Sequence, residues 1–292
     1  MNWQQLSLNI TEAIGENFKI NNHSMVGGGS INSAYRIESG SQSLFVKFNT
    51  ANKLSMFEAE ADGLSELDKA NAIRVPKVIC TGCLESQSYI VLEDLKLGGQ
   101  GSMQELAERL ACLHKTTSDT FGWWRNNTIG STLQVNEKTD DWISFWHEQR
   151  LGFQLSLAKQ NGASRSLLDK GERLQSELMA LFKNYSPQPS LLHGDLWSGN
   201  VAFSESGDPV IFDPATYYGD READIAMTEL FGGFGTDFYE RYHSIFPLDE
   251  AYNLRKVLYN LYHILNHFNM FGGGYMNQSD GMISLLLSNI NN

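Results

Sequence analysis

Leu191-Leu192-His193-Gly194-Asp195-Leu196-Trp197-Ser198-Gly199-Asn200-Val201, followed closely by Val210-Ile211-Phe212-Asp213-Pro214-Ala215, is the stretch that decides the fold of this chain. Apolar doublets bound a short insert, 191–213, whose pattern is not helical, although helical spacing governs the sequence on either side of it. Asp195 and Asn200 stand at the two ends of one tight loop. Asp213 returns through a hairpin to the same edge, at the end of the next strand. Asp, Asn and Asp form a hard oxygen donor set. Such a set suits Mg²⁺, which keeps several waters and needs only one or two protein carboxylates.

Phosphoryl transfer asks for such a set. A carboxylate must orient the attacking hydroxyl and accept its proton, and oxygen ligands must hold Mg²⁺ on the nucleotide phosphates. An Asp, an Asn five residues later and an Asp at the end of the next strand together meet this need. The spacing resembles the kinase catalytic loop H-R-D-x-x-x-x-N, with His193-Gly194-Asp195 in place of H-R-D, and Asp213-Pro214-Ala215 stands where a protein kinase has D-F-G. Any one of these pieces alone carries little weight. Their occurrence in order, behind a strand-rich segment with a suitably placed lysine, is specific.

That lysine is Lys47, in Leu44-Phe45-Val46-Lys47-Phe48, a strand in which it can face a nucleotide. Its expected partner is a helix glutamate from Met56-Phe57-Glu58-Ala59-Glu60. Glu60 is preferred, because Leu64 and Leu67 then share its inward face, and Glu58 stays open as the alternative. Upstream, Val26 to Ile37 reads as one strand, joined by a loop at Ser39-Gly40-Ser41 to the Lys47 strand. The glycine-rich run Gly27-Gly28-Gly29-Ser30 at its start lets backbone amides approach phosphate closely, and Gly28, Gly29 and Ser30 are the candidate contacts. The run is neither a Walker A motif nor a full G-x-G-x-x-G.

Farther out, Trp3, Leu6, Ile10 and Ile14 predict an opening amphipathic helix, and Val78-Ile79 and Tyr89 to Leu92 predict two more strands. Lys96-Leu-Gly-Gly-Gln-Gly-Ser102 reads as a flexible stretch, and the lobe boundary is placed there. Beyond it, apolar stripes at Met103–Leu113, Leu167–Leu181 and Leu254–Leu265 predict helices. The expected fold class is α+β: a protein-kinase-like two-lobe fold, with a small antiparallel-sheet lobe at 1–95 and a larger, mostly helical lobe at 96–292.

The chain has 292 residues, 41% of them hydrophobic and 19% charged, as in an ordinary globular protein of one large domain or two unequal lobes. A net charge of −12 lacks the basic footprint of a nucleic-acid binder. The opening Met1-Asn2-Trp3-Gln4-Gln5 shows no signal peptide, and no run approaches the ~18 apolar residues of a membrane span. No nucleic-acid or membrane partner is expected, and a cytoplasmic address follows. Cys80-Thr81-Gly82-Cys83 is a lone CxxC with no second ligand pair, read as two thiols at a strand end. His263 and His267, four apart and flanked by Tyr259, Tyr262 and Phe268, read as packed or rim histidines.

The sequence closely resembles the fructosamine kinase (ketosamine-3-kinase) family, a branch of the aminoglycoside-phosphotransferase-like kinases. His193 to Asn200 looks like its signature. Gly27 to Asn32, Phe45 to Lys47, Met56 to Glu60, Leu92 to Leu95, Leu113-His114, Asp213 to Glu222 and Phe231 to Phe234 match in collinear order. Trp197 is the most discriminating residue, since aminoglycoside and choline kinases usually lack Leu-Trp-Ser-Gly between the two motif ends. The resemblance implies ATP- and Mg²⁺-dependent phosphorylation of the sugar 3-hydroxyl of small-molecule or protein-bound ketosamines, with deglycation as the outcome. It further implies Asp195 as proton acceptor, Asn200 and Asp213 as Mg²⁺ ligands, and Lys47 on the α/β-phosphates. Glu93, Asp94 and Leu95 form the ATP-binding crossing, their backbone holding adenine and the two acidic side chains solvated. Asp224 braces the catalytic loop, His193 holds its backbone, and Trp197 is the substrate-side candidate. Trp123, Trp124, Trp142 and Trp146 are assigned mostly to the core. A kinase for another hydroxylated amine, aminoglycoside- or choline-kinase-like, is the alternative, and a non-catalytic nucleotide-binding module the third possibility.

Overall fold

A computed structural model describes residues 1–27 and 31–290, so Gly28, Gly29 and Ser30 lie outside the described residues. The chain separates into two compact units, Met1–Ser102 with Ala202–Pro214 and Met103–Val201 with Ala215–Asn292. Composition places a single boundary at Leu95. Contacts divide the chain after Ser102 instead and give the first unit a second, later segment.

The first unit begins with helix α1 (Trp3–Ile14). Asn2 caps it by accepting from Gln5 N at 3.1 Å, and Gly15 ends it in the left-handed conformation. Strands β1 (Asn22–Val26), β2 (Ser33–Ser39) and β3 (Gln42–Thr50), helix α2 (Leu54–Lys69), and strands β4 (Val78–Leu84) and β5 (Gln87–Glu93) follow. The sheet is antiparallel, ordered β1-β2-β3-β5-β4. The segment expected as one strand, Val26 to Ile37, is two: the chain reverses after Val26, which pairs with Ala34. Leu6 and Ile10 of α1 bury against Phe18, Val46, Phe48, Tyr89 and Val91. Lys47 is one residue out of phase with Val46 and Phe48, so it points to the opposite face, where α2 lies. Cys80 and Cys83 both lie inside β4, three apart and therefore on opposite faces, which is no geometry for a shared metal.

In the second unit come helix α3 (Met103–His114), the hairpin β6 (Asn127–Ile129) and β7 (Thr132–Gln134), and helix α4 (Trp142–Phe145). A π-helical turn (Trp146–Gly152) follows, then helices α5 (Phe153–Gln160) and α6 (Arg165–Glu177) and strand β8 (Ser190–Leu192). Strands β9 (Val201–Phe203) and β10 (Pro209–Ile211) form a hairpin that belongs almost wholly to the first unit. Ile211 N donates to Arg74 O there, at 3.0 Å. Strand β11 (Tyr217–Gly219) pairs with β8, and helices α7 (Glu222–Leu230), α8 (Thr236–Ile245), α9 (Tyr252–Phe271) and α10 (Tyr275–Ile290) complete the chain. Among the described residues no helix is long and apolar enough to cross a membrane.

Lys96 to Ser102, expected to be flexible, is pinned inside the first unit. Gly98 N and Gly99 N donate to Phe203 O, and Glu205 N donates to Lys96 O at 3.0 Å. A Cβ on Gly99 would sit 1.8 Å from Ser204 O, and one on Gly101 would sit 2.0 Å from Phe203. The glycines are there for close backbone approach rather than for freedom.

Helix α9 runs through the core of the second unit, and His263 is buried in it. Burial pushes its pKa down to about 3, with help from His267 and Arg150 and against the opposing pull of Asp224. A folded-state pKa below the unfolded one makes stability complete above pH 6.5 and eroded as pH falls, because the unfolded chain takes up a proton that the folded chain refuses. Unfolding free energy is expected to fall by about 2 kcal/mol between pH 6.5 and about 5 from this group alone. His263→Gln should flatten that limb in chemical denaturation, and superimposable pH profiles of variant and wild type would refute the assignment.

Candidate active site

In the first unit the candidate residues converge on Lys47. β3 buries its stem while α2 brings Glu60 Oε1 to 2.6 Å from Nζ. The Asp213 carboxylate also accepts from Nζ. Glu60 is therefore the partner that the helix register selects over Glu58, which is exposed. Burial alone would lower the pKa of Lys47, but Asp213 and Glu60 reverse it and the ammonium is held charged. Burial raises the pKa of Glu60 against the pull of Lys47. Asp213 sits at φ +57°, a left-handed backbone conformation that Asp tolerates better than most residues. Its side chain remains 48% exposed. The ammonium has three N–H donors, so two anionic partners leave one donor for a third.

At the end of β5, the acids expected to be solvated are paired. The Asp94 side chain is only 6% exposed and takes a two-pronged contact from Arg36, at 2.7 and 3.2 Å. Glu93 meets Arg74 at 2.5 Å and accepts from Lys77 N, while its own N–H donates to Lys77 O at 2.8 Å. Arg36 and Arg74 lie in chain segments 58 and 19 residues away, a pairing that local composition cannot reveal. Leu95 follows directly on the paired Asp94.

In the second unit, β8 delivers the loop that begins at His193. Asp224, at the start of α7, is buried and accepts from His193 N and Gly194 N, both at 2.8 Å. His114 Nε2 lies 3.1 Å from the same carboxylate, and Tyr242 Oη lies 2.7 Å from His114 Nδ1. Burial would raise the pKa of Asp224, but its bonds to His114 and the loop amides hold it below the usual carboxylate value. Asp224 thus stays ionised and clamps the loop. Gly194 has φ +84°, and a Cβ there would meet Ala215 O at 2.1 Å, so this position admits only glycine. His193 acts on the backbone: its Nδ1 accepts from Asp195 N at 3.2 Å, and its carbonyl accepts from Ala215 N at 2.9 Å.

Asp195 and Asn200 meet across the loop. Asn200 Nδ2 donates to the Asp195 carbonyl at 2.8 Å and to its Oδ2 at 3.3 Å. A carbonyl only accepts, so this contact fixes the amide orientation and turns Asn200 Oδ1, a hard oxygen donor, away from the Asp195 carbonyl. Trp197 lies over Gly199, where a Cβ would strike its ring at 2.3 Å, and the residue is 37% exposed. The hairpin β6–β7 adds support that sequence patterning missed. Gln134 Nε2 donates to Ala215 O at 3.0 Å, and Asn127 Nδ2 donates to Thr216 O at 2.8 Å. His114 and Tyr242 were likewise invisible as loop supports; only the pairing Leu113-His114 offered a signal. Among the described residues no cluster of three or more His, Cys, Asp or Glu side chains is placed to hold a metal ion.

Comparison with known proteins decides the affiliation: the family model for fructosamine kinase matches residues 2–289. The chain belongs to the fructosamine kinase family. A probable ketoamine kinase from Synechocystis is 46% identical over 288 residues, covering 98% of this chain and 97% of that protein. The chloroplastic protein-ribulosamine 3-kinase of Arabidopsis thaliana is 44% identical over 262 residues, 88% of this chain and 80% of the relative. A crystal structure from Haemophilus somnus assigned as a fructosamine-3-kinase superposes with a TM-score of 0.90 at 33% identity, covering 98% and 97% of the two chains. An aminoglycoside phosphotransferase, at 17% identity and a TM-score of 0.63, shares the fold, which is protein-kinase-like.

Proposed function

We propose that this protein is an ATP-dependent kinase that phosphorylates the sugar 3-hydroxyl of ketosamines, free or protein-bound, in deglycation. The observation that carries the reading is the complete polar set: Lys47 held by Glu60 and Asp213, and Asp195 held by Asn200, in a chain whose relatives are named ketoamine and ribulosamine kinases. We assign the nucleotide to residues 1–95, with the backbone of Glu93, Asp94 and Leu95 at adenine and Gly28, Gly29 and Ser30 at phosphate. The acceptor is assigned to residues 96–292, and the working place to the cytoplasm.

Each residue has a task its chemistry suits. Asp195 orients the acceptor hydroxyl and takes its proton, and Asn200 fixes the carboxylate for that purpose. Lys47 offers its remaining N–H to the α/β-phosphates. The half-exposed Asp213 carboxylate and Asn200 Oδ1 fit Mg²⁺ as hard oxygen donors. When bound, the metal neutralises charge on the nucleotide phosphates.

An ATP-consumption screen over fructosyl-, ribulosyl- and erythrulosyl-lysine tests the reading, with kanamycin and choline as comparison acceptors. Turnover of at least one ketosamine is expected; turnover of kanamycin or choline alone would overturn it. Trp197 is expected to touch the acceptor and not the nucleotide. Trp197→Ala should raise the ketosamine KM by about 5- to 150-fold, the range for loss of a buried aromatic contact, and leave the ATP KM nearly unchanged. An unchanged ketosamine KM together with a lowered Tm would make Trp197 a wedge for the loop and nothing more.

A further inference from the structure

The indole of Trp197 is the first ring of a series within the second unit. Phe231, at the end of α7, meets it edge-on at 6.2 Å, and His267 of α9 meets Phe231 edge-on at 5.3 Å. His267 is itself stacked with Phe271 at 5.8 Å and with Tyr275 at 5.1 Å, both nearly parallel to it. Core aromatics are covered, but these are not: Phe231 is 37% exposed and Phe271 58%. The imidazole is fixed as well as stacked. Its Nδ1 lies 2.9 Å from His263 O, and a carbonyl only accepts, so Nδ1 carries the hydrogen and Nε2 the lone pair. Burial lowers the pKa of His267, which keeps the ring neutral near pH 7.

Such a strip has a definite preference. Aromatic faces attract an ammonium group and pack well against a methylene chain, and a neutral imidazole adds an acceptor without adding positive charge. The rings are held by one another, so little rotamer freedom is lost when a ligand lies on them. We propose that Phe231, His267 and Tyr275 continue the acceptor surface that begins at Trp197 and receive the amine end of the acceptor, meaning the protonated secondary amine and the alkyl chain that bears it. The assignment rests on the ketosamine reading of the site and adds to it the part of the molecule that does not react. It makes these residues determinants of which carriers are accepted, with Phe231 as the central contact.

The test compares two acceptors that share the sugar and differ in the amine end, Nε-fructosyl-lysine and free fructose, which has neither the ammonium nor the alkyl chain, with the ATP KM as internal control. In the wild type the lysine adduct has the lower KM. Phe231→Ala is expected to shrink the ratio of the two KM values by about 3- to 30-fold, the range of a cation–aromatic contact at a partly exposed site. Phe231→Leu, which keeps the bulk and removes the ring face, should shrink it in the same direction, and His267→Gln should do so to a smaller degree. A melting curve for each variant identifies any loss of fold, and Phe231→Leu carries the test should Phe231→Ala unfold. An unchanged ratio in folded Phe231 variants overturns the proposal while the ketosamine reading stands. A wild-type protein inert on fructosyl-lysine and on the other ketosamines removes the reading itself, and this proposal with it.

Discussion

Asp195→Asn is expected to lower kcat by about 10²- to 10⁴-fold, the usual contribution of a positioned general base, while ATP still binds. The substitution keeps the shape of the side chain and its capacity to meet Asn200, so the loop should stay in place. What it removes is the basic oxygen that accepts the hydroxyl proton. Asp195 has no assigned contact with nucleotide, so the ATP dissociation constant, read by calorimetry, should change little. A variant that retains more than half of the wild-type kcat would end the assignment. Loss of ATP affinity comparable to the loss of kcat would instead place Asp195 among the nucleotide contacts. The clamp on the loop gives a second check: Asp224 carries no chemical role, so its replacement is expected to act through stability and loop order.

Asp213→Ala is expected to abolish most of the Mg²⁺ dependence of ATP binding. Changes one shell removed from a metal cost about 10- to 100-fold in affinity, so loss of a direct carboxylate ligand should cost at least that much. Asp213 also holds Lys47 and occupies left-handed backbone, so alanine changes more than the charge. Asp213→Asn separates these effects, since asparagine tolerates that backbone conformation and removes only the negative charge. Titrations of ATP with and without Mg²⁺ decide the matter. Equal metal dependence in wild type, Asp213→Asn and Asp213→Ala would exclude Asp213 as a ligand.

The parts of this protein that sequence made legible are those built by short-range spacing. The loop from His193 to Asn200 is one example, since its glycine, carboxylate and amide must stand at fixed separations for the turn to close. The Lys47–Glu60 pair is another: alternation along β3 sends Lys47 to one face, and helical periodicity in α2 decides between Glu58 and Glu60 once both elements are in place. What stayed hidden depends on long-range pairing. Lys96 to Ser102 is rich in glycine and so resembles a tether, yet the glycines serve contact with Phe203 to Gly207, about a hundred residues on. The acids at Glu93 and Asp94 look solvated until Arg74 and Arg36 are brought beside them. The split of Val26 to Ile37 into β1 and β2 was missed because apolar residues flank the glycines on both sides. Asn127, Gln134, His114 and Tyr242 support the loop from distant segments, and no local pattern distinguishes them from ordinary polar core residues.

The central claim is that this chain transfers the γ-phosphoryl group of ATP to the 3-hydroxyl of a ketosamine with Asp195 as the base. The position of the phosphate on the product tests it most directly. Fructosyl-lysine incubated with the wild-type protein, ATP and Mg²⁺ should give a product whose phosphorus couples to the proton on carbon 3 in a ³¹P–¹H correlation spectrum, with formation at least about 100-fold slower with Asp195→Asn. Phosphate on any other carbon, or no phosphorylated ketosamine at all from an ATP-binding wild-type protein, would contradict it.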